Sequence, residues 1–354
     1  MSLELKLNRR QALAGAGSLV GLAALSAPAL AASPTVLRVG HIPRVVSDSV
    51  FLLAQANGHL AEEGIELEFT GFAGGSKIIT PLSTGQIDIG AGAPSAGLFN
   101  ALGRDIELRI VADKGSSPAG FSYTTLIVRS DLMESGEVSS FKDMKGRTVA
   151  LSGPAATPAA MLNRAMMQDG LSYADVEVTY LGYGQMAAAM SNGAIDGAIM
   201  VEPIGTKVIA SGTGTRLWND DVYPYQQIAA LMFSESFANE RPEVAQSFMR
   251  AYVRGARDYN DALQGGAFSG EKGKTLLNML VDYTSADLEI LNAMIPTGIN
   301  PDGGVYVDSL RADYDFYNEY GFIENAEVGV EGAIDTSFAD AAVKELGPYV
   351  PNPS

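Results

Sequence analysis

One order of local signals runs through this chain twice, and a chain so patterned is constrained to build two similar halves. In the first pass, strand-like Val36-Leu37-Arg38-Val39 leads into Gly40-His41-Ile42-Pro43 and a helical segment from about Ser49 to Glu62. Gly64 breaks that helix, and Ile65-Glu66-Leu67-Glu68-Phe69 alternates as a strand does. Phe72-Ala73-Gly74-Gly75-Ser76 opens a helix reaching Ser83, followed by Thr84-Gly85-Gln86-Ile87-Asp88-Ile89-Gly90 and a helix start at Pro94-Ser95. The second pass has Thr148-Val149-Ala150-Leu151 into Ser152-Gly153-Pro154, a helix from about Pro158 to Gln168, and a break at Gly170. Val176-Glu177-Val178-Thr179-Tyr180 then alternates, Gly182-Tyr183-Gly184-Gln185 opens a helix to Ser191, and Asn192-Gly193-Ala194-Ile195-Asp196 leads to Glu202-Pro203 and another helix. The tetrad Gly85-x-Ile87-Asp88 is matched by Gly193-x-Ile195-Asp196. Chance supplies one such tetrad easily, but not five signals in the same order.

Short β-branched runs alternating with helical patterns predict an α/β fold in which each half is a sheet with helices on its faces. Residues 32–122 and 230–354 are expected to form one lobe and residues 123–229 the other. Ile228 to Phe233 reads as a strand returning to the first lobe. Tyr123–Val128 and Tyr225–Ala229 are expected to hold the two crossovers. Helical patterns over Pro242–Leu263, Glu271–Asp282, Ala286–Met294 and Asp308–Tyr320 are expected to complete lobe one and brace the back of both lobes. Loops leaving the carboxyl ends of strands enter helix N-termini, where free N–H groups suit a polar or anionic group. Two such sets of loops facing each other make a cleft that closes by hinge motion.

The first residues carry an address. Lys6, Arg9 and Arg10 precede an uncharged stretch from Gln11 to Ala31 that ends in Ala29-Leu30-Ala31, the parts of a secretory signal covering residues 1–31. A retained membrane anchor is the rival reading, weakened by the Gly and Ala content and by Ser26 and Pro28. Arg9-Arg10 followed by Gln11-Ala12-Leu13 resembles a twin-arginine signal, with Asn8 where Ser or Thr is usual; an ordinary signal with two arginines is the alternative. The chain has no cysteine, which excludes disulfides, thiolate metal sites, a cysteine nucleophile and a lipid-modified cysteine after the signal. An exported, untethered protein points to the periplasm. Cleavage after Ala31 removes three positive charges and one negative, taking the net charge from −17 to about −19. So acidic a surface argues against nucleic acid or anionic lipid as a partner.

Catalytic patterns are sparse. Only His41 and His59 are present, and no H-E-x-x-H, G-x-S-x-G or EF-hand loop occurs. Gly273-Lys274-Thr275 looks like the end of a P-loop, but Phe268 stands where the first glycine belongs. No cofactor and no metal site is indicated, and the chain reads as a binding protein and not an enzyme.

Several segments resemble the periplasmic substrate-binding proteins of ABC transporters in the alkanesulfonate, taurine and nitrate family, which also covers thiamine-pyrimidine and riboflavin binders. They are Leu60-Ala61-Glu62-Glu63-Gly64-Ile65-Glu66-Leu67, Phe72-Ala73-Gly74-Gly75-Ser76, Ser83-Thr84-Gly85-Gln86-Ile87-Asp88, Phe141-Lys142-Asp143-Met144-Lys145-Gly146, Asn192-Gly193-Ala194-Ile195-Asp196 and Val201-Glu202-Pro203. The match runs from about Leu37 to Arg257 and rests on the ordered set. It implies a two-lobed periplasmic binding protein of type II, a monomer that captures a small polar organic molecule for an ABC permease and ATPase complex in the inner membrane. The resemblance also implies where ligand contacts fall: Arg44, Ser47 and Ser49 after the first strand, Gly75 and Ser76, Pro94 and Ser95, Ser152 and Thr157, Tyr183, and Glu202. Ser76, Ser95 and Thr157 sit at or next to expected helix starts, so capping would equally explain their hydroxyls. Glu202 suits a ligand amine or hydroxyl, or simply a helix entry favoured by the dipole. Arg44 is the candidate partner for an anion, its planar fork being the reason, although a solvated surface arginine is the commoner fate. Met200-Val201 stands where relatives often carry an aromatic residue, which leaves room for a larger or flatter ligand than a sulfonate or nitrate. The alternatives are a pyrimidine-synthase-like enzyme on the same fold, made unattractive by the absent cysteine, and a binding protein for a sensor or a tripartite transporter.

Overall fold

The runs expected as strands form two five-stranded sheets in the computed structural model, which describes residues 33–218, 222–327 and 329–352. The expected leader, residues 1–31, lies outside the described residues. The first sheet contains β1 (Thr35–His41), β2 (Ile65–Gly71), β3 (Ile89–Gly92) and β4 (Leu108–Ser117). The second contains β5 (Thr124–Arg129), β6 (Thr148–Leu151), β7 (Glu177–Tyr180), β8 (Gly197–Val201) and β9 (Gly214–Arg216), after which β10 (Gln226–Ser234) returns to the first. The order is β2-β1-β3-β10-β4 in one and β7-β6-β8-β5-β9 in the other. In each, three parallel strands are followed by one antiparallel strand that arrives from the crossover side, so the two sheets share one topology. The central β3, β8 and β10 are buried along their whole length, whereas the parallel edge strands β2 and β7 are largely exposed or half-buried.

The repeated tetrad has one structural job in both sheets. The Asp88 carboxylate accepts the backbone N–H of Arg38 at 2.8 Å, and the Asp196 carboxylate accepts that of Thr148 at 2.9 Å. In return, the N–H of Asp88 donates to Arg38 O and that of Asp196 to Thr148 O, each at 2.9 Å. Their carbonyls accept from Ser234 N and Arg129 N on the antiparallel strands, β10 and β5, or at their ends. Each aspartate thus joins the start of a central strand to both neighbours. The glycine three residues earlier supplies the turn, with φ of +66° at Gly85 and +75° at Gly193.

The strands expected at the crossovers belong to the sheets themselves. Tyr123–Val128 is largely β5 and Tyr225–Ala229 largely the start of β10, so the chain passes between lobes just before each, over residues 118–123 and between β9 and β10. Strand β4 gives no clear strand pattern in the sequence, since its apolar run is interrupted by Asp113 and Lys114, both of which are buried. The helix expected over residues 49–62 is two, Ser49–Ala56 and His59–Glu62, parted by Gly58 at φ +79°. Helices Pro242–Asp261, Gly270–Thr284, Leu288–Ala293 and Val307–Glu319 fall where the periodicity places them. Helix 242–261 buries Phe248, Tyr252, Val253, Ala256 and Tyr259 against Phe51, Leu37 and Phe233 on one face of the first sheet. A second core runs from Ile78, Leu98 and Phe99 through the second sheet to Met161 and Tyr317, so apolar packing is continuous from lobe to lobe.

Candidate functional site

The loops leaving β1, β2, β3, β6, β7 and β8 meet at the junction of the lobes. Through its centre runs a seam of direct contacts. Ala96 N donates to Ala155 O at 2.8 Å, Ser95 bridges to Ala156, and Val46 N donates to Glu202 O at 3.3 Å. Gly74 lies so near the facing loop that a Cβ there would be 2.3 Å from Ser152 O, and one on Gly153 would be 2.3 Å from Ser76 Oγ. Gly74 is required because its backbone meets the facing backbone, whereas Gly153 makes room for the tip of a serine side chain.

To one side of the seam, over the β1–β2 edge, opens a cavity of about 660 Å³. Lobe one contributes Ile42, Pro43, Arg44, Phe72 and Ala73, lobe two contributes Tyr183, Ala187, Ile204, Lys207 and Val208, and Thr284 closes one side from the end of helix 270–284. The walls are mainly apolar, and two cations enter from opposite lobes. Arg44 adopts φ +64° and is exposed. Lys207 Nζ donates to the carbonyls of Thr284 and Ser285 at 3.1 and 3.0 Å, and burial followed by the nearby Arg44 charge pushes its pKa down. An anion placed between the two would relieve that repulsion.

The other expected residues fall in three places. Arg44 and Tyr183 line the cavity, and Ser152 stands behind Tyr183, hydrogen-bonded to its phenol, whose pKa burial pushes up. Gly75, Ser76, Pro94, Ser95 and Thr157 lie in the seam. None of the three hydroxyls caps a helix: Thr157 Oγ1 donates across the lobes to Pro94 O at 3.4 Å, while Ser95 Oγ is buried without a hydrogen-bond partner among the described residues. Ser47, Ser49 and Glu202 are engaged within the protein. Ser47 Oγ accepts from Lys114 Nζ at 2.6 Å and meets Tyr123 OH at 3.0 Å, and Ser49 Oγ donates to Val46 O. Beside them Asp48 pairs with Lys114 at 2.8 Å and meets His41 at 2.8 Å; burial raises its pKa, but the Lys114 charge and the His41 hydrogen bond outweigh it and hold the carboxyl below its usual range. Glu202, which precedes a cis proline, accepts from Thr206 N at 3.0 Å and Arg216 at 3.1 Å; burial still pushes its pKa up against the Arg216 charge. Its carboxylate therefore serves the entry of helix Ile204–Ala210. Lys207 and Phe72 were not singled out from the sequence. The signal for Lys207 was its place one turn into the helix that follows Glu202-Pro203, which aims it back at the cleft. Among the described residues no group of three or more His, Asp or Glu is arranged to hold a metal ion.

Residues 30–264 match the model of the NMT1-like family. This chain belongs to the NMT1-like family. Curated relatives include a putative aliphatic sulfonates-binding protein of Escherichia coli K12, 26% identical over 57% of this chain and 61% of its own length, and the riboflavin-binding protein RibY of Chloroflexus aurantiacus, 27% identical over 66% and 65%. The chain thus spans somewhat under two thirds of the length of these curated relatives. Among solved structures, the alkanesulfonate-binding protein SsuA of Xanthomonas axonopodis pv. citri, bound to MOPS, superposes with a TM-score of 0.68 at 18% identity, covering 86% of this chain and 99% of that one. The fold is therefore that of the two-lobed periplasmic binding proteins. The desulfurization enzyme DszB shares it more distantly, with a TM-score of 0.57 at 13% identity over 88% of this chain and 99% of that one.

Proposed function

We propose that this NMT1-like protein is the exported solute-binding component of an ABC importer, a monomer that holds one small organic anion with an apolar body between its lobes. The observation that carries the reading is the pair of cations, Arg44 and Lys207, facing each other across a cavity whose other walls are mainly apolar. The relative named for aliphatic sulfonates, and the SsuA structure that holds MOPS, support a ligand with an acidic group on an organic frame, and RibY, named for riboflavin, supports a broad one. The absence of an aromatic residue at Met200-Val201 supports one broader than taurine or nitrate. With β10 assigned to the first sheet, residues 32–122 with 226–354 and residues 123–225 would be the moving lobes, and cleavage after Ala31 would release the chain into the periplasm. The two histidines support binding over catalysis, since both are buried, His41 against Asp48 and His59 against Asp258, and neither lines the cavity.

A thermal-shift and calorimetric panel of alkyl and aryl sulfonates, nitrogen heterocycles, flavins and aromatic acids tests this. One class should bind in the micromolar range or tighter, on the order of −8 kcal/mol. Arg44→Gln and Lys207→Gln should each weaken that ligand by at least about tenfold, roughly 1.4 kcal/mol, without lowering stability by as much. A ligand bound equally well by both variants, or a panel with no binder, would refute the reading.

A further inference from the structure

A second cavity, of about 560 Å³, lies on the far side of the seam. In the order β2-β1-β3-β10-β4 the cleft cavity sits over β1 and β2, whereas this one sits at the start of β10, so the Pro94–Ser95 loop after β3 stands between them. Its walls also come from both lobes: Arg164 from helix Thr157–Met167, Tyr223 and Tyr225 from the return crossover, and Val305, Tyr306 and Ala312 from the entry and first turns of helix Val307–Glu319.

Three features distinguish it from an incidental hollow. Tyr225 has φ +59°, a conformation a bulky residue rarely adopts, held by its N–H donating to Ser117 O at 2.7 Å. The consequence is a residue that stands 53% exposed, its ring tilted 52° to that of Tyr306 at a centroid separation of 5.7 Å. Arg164 lies with its guanidinium carbon 4.9 Å from the centroid of the Tyr223 ring and, among the described residues, forms no ion pair. Asp308 on the cavity wall pairs with Arg311, which also meets Glu331, and the buried Asp313, which the Arg164 charge reaches, is held by Gln226 and Tyr223, so Arg164 is the cation left facing a half-open aromatic face. One planar guanidinium fits one planar carboxylate, and the tyrosine face fits a flat ring.

We propose that this pocket is a second small-molecule site, which binds an aromatic monocarboxylate with its ring on Tyr225 and its carboxylate on Arg164. Because both lobes supply the walls, an occupant stabilises the lobes in this arrangement.

Titration calorimetry of the whole protein with 2-naphthoate tests the assignment, with neutral 2-naphthamide as the control. Saturable binding is expected for the acid and at least tenfold weaker binding for the amide. Arg164→Gln and Tyr225→Asn should each weaken naphthoate at least tenfold; both side chains are solvent-exposed, asparagine tolerates positive φ, and unfolding midpoints verify the fold. If Tyr225→Asn fails to fold, Arg164→Gln alone decides. Arg44→Gln and Lys207→Gln should leave naphthoate binding within twofold. No saturable binding, equal binding of acid and amide, or a loss confined to the two cleft variants would each overturn the site.

Discussion

Asp313 sits wholly buried at the lobe junction, accepting from Gln226 Nε2 at 2.9 Å and Tyr223 OH at 3.3 Å. Burial outweighs those hydrogen bonds and pushes its pKa up from 3.8 to about 7. In the unfolded chain this carboxyl loses its proton near pH 4, whereas in the folded protein it keeps it to near 7. Between those values the folded state binds more protons, so this residue's contribution to stability is complete below pH 4 and falls as pH rises to 7. Asp113, pushed up to about 6 by burial, adds in the same direction over a narrower window. Asp313→Asn should therefore gain on the parent protein by roughly 2 kcal/mol between pH 5 and pH 7, as read by urea denaturation at the two pH values. A constant difference between the two proteins would show that Asp313 is ionised throughout. From the sequence Asp313 was one acid among many on a helix, because only the packing of helix 307–319 against the crossover removes it from water.

At the scale of elements, the paired aspartates explain why the tetrad recurs. Asp88 is 3% exposed and joins Arg38 and Arg241 at 2.9 and 2.5 Å, while the Asp196 side chain is 22% exposed with arginines at 3.7 and 3.9 Å. The first is a buried carboxylate held by two partly exposed arginines, whose loss leaves an unpaired strand N–H and several broken charged hydrogen bonds; the second is mainly a hydrogen bond. Asp88→Ala should cost about 3 kcal/mol and Asp196→Ala about 1 kcal/mol in equilibrium unfolding. Equal costs would mean that the backbone bond, common to both, dominates. The tetrad was legible as a marker of repetition because glycine and aspartate have few substitutes at a turn into a strand. Its mechanism was not, since Arg38 lies 50 residues away and is brought near only by the parallel pairing of β1 with β3.

For the whole molecule the decisive feature is the seam where the lobes touch. Gly74 faces a backbone oxygen, whereas Gly153 faces the tip of a serine side chain. Gly74→Ala should thus hold the lobes apart and weaken the cleft ligand at least about tenfold with little loss of lobe stability, and no change at Ser76 should restore it. Gly153→Ala should be milder, and Ser76→Gly should rescue it; calorimetry and small-angle scattering read both effects. Rescue of Gly74→Ala by Ser76→Gly would show that the lobes meet elsewhere. The two-lobed α/β plan was readable in the sequence because strand alternation, breaking glycines and turn chemistry are local, and local signals repeat when a fold repeats. The candidate loops were found for the same reason, and Arg44 and Tyr183 with them. Which loop residues face the cavity, which face each other, and that Glu202 turns inward to Arg216 depended on how one sheet sits against the other. That arrangement is set by contacts between residues far apart in the chain, so no run of neighbouring residues encodes it.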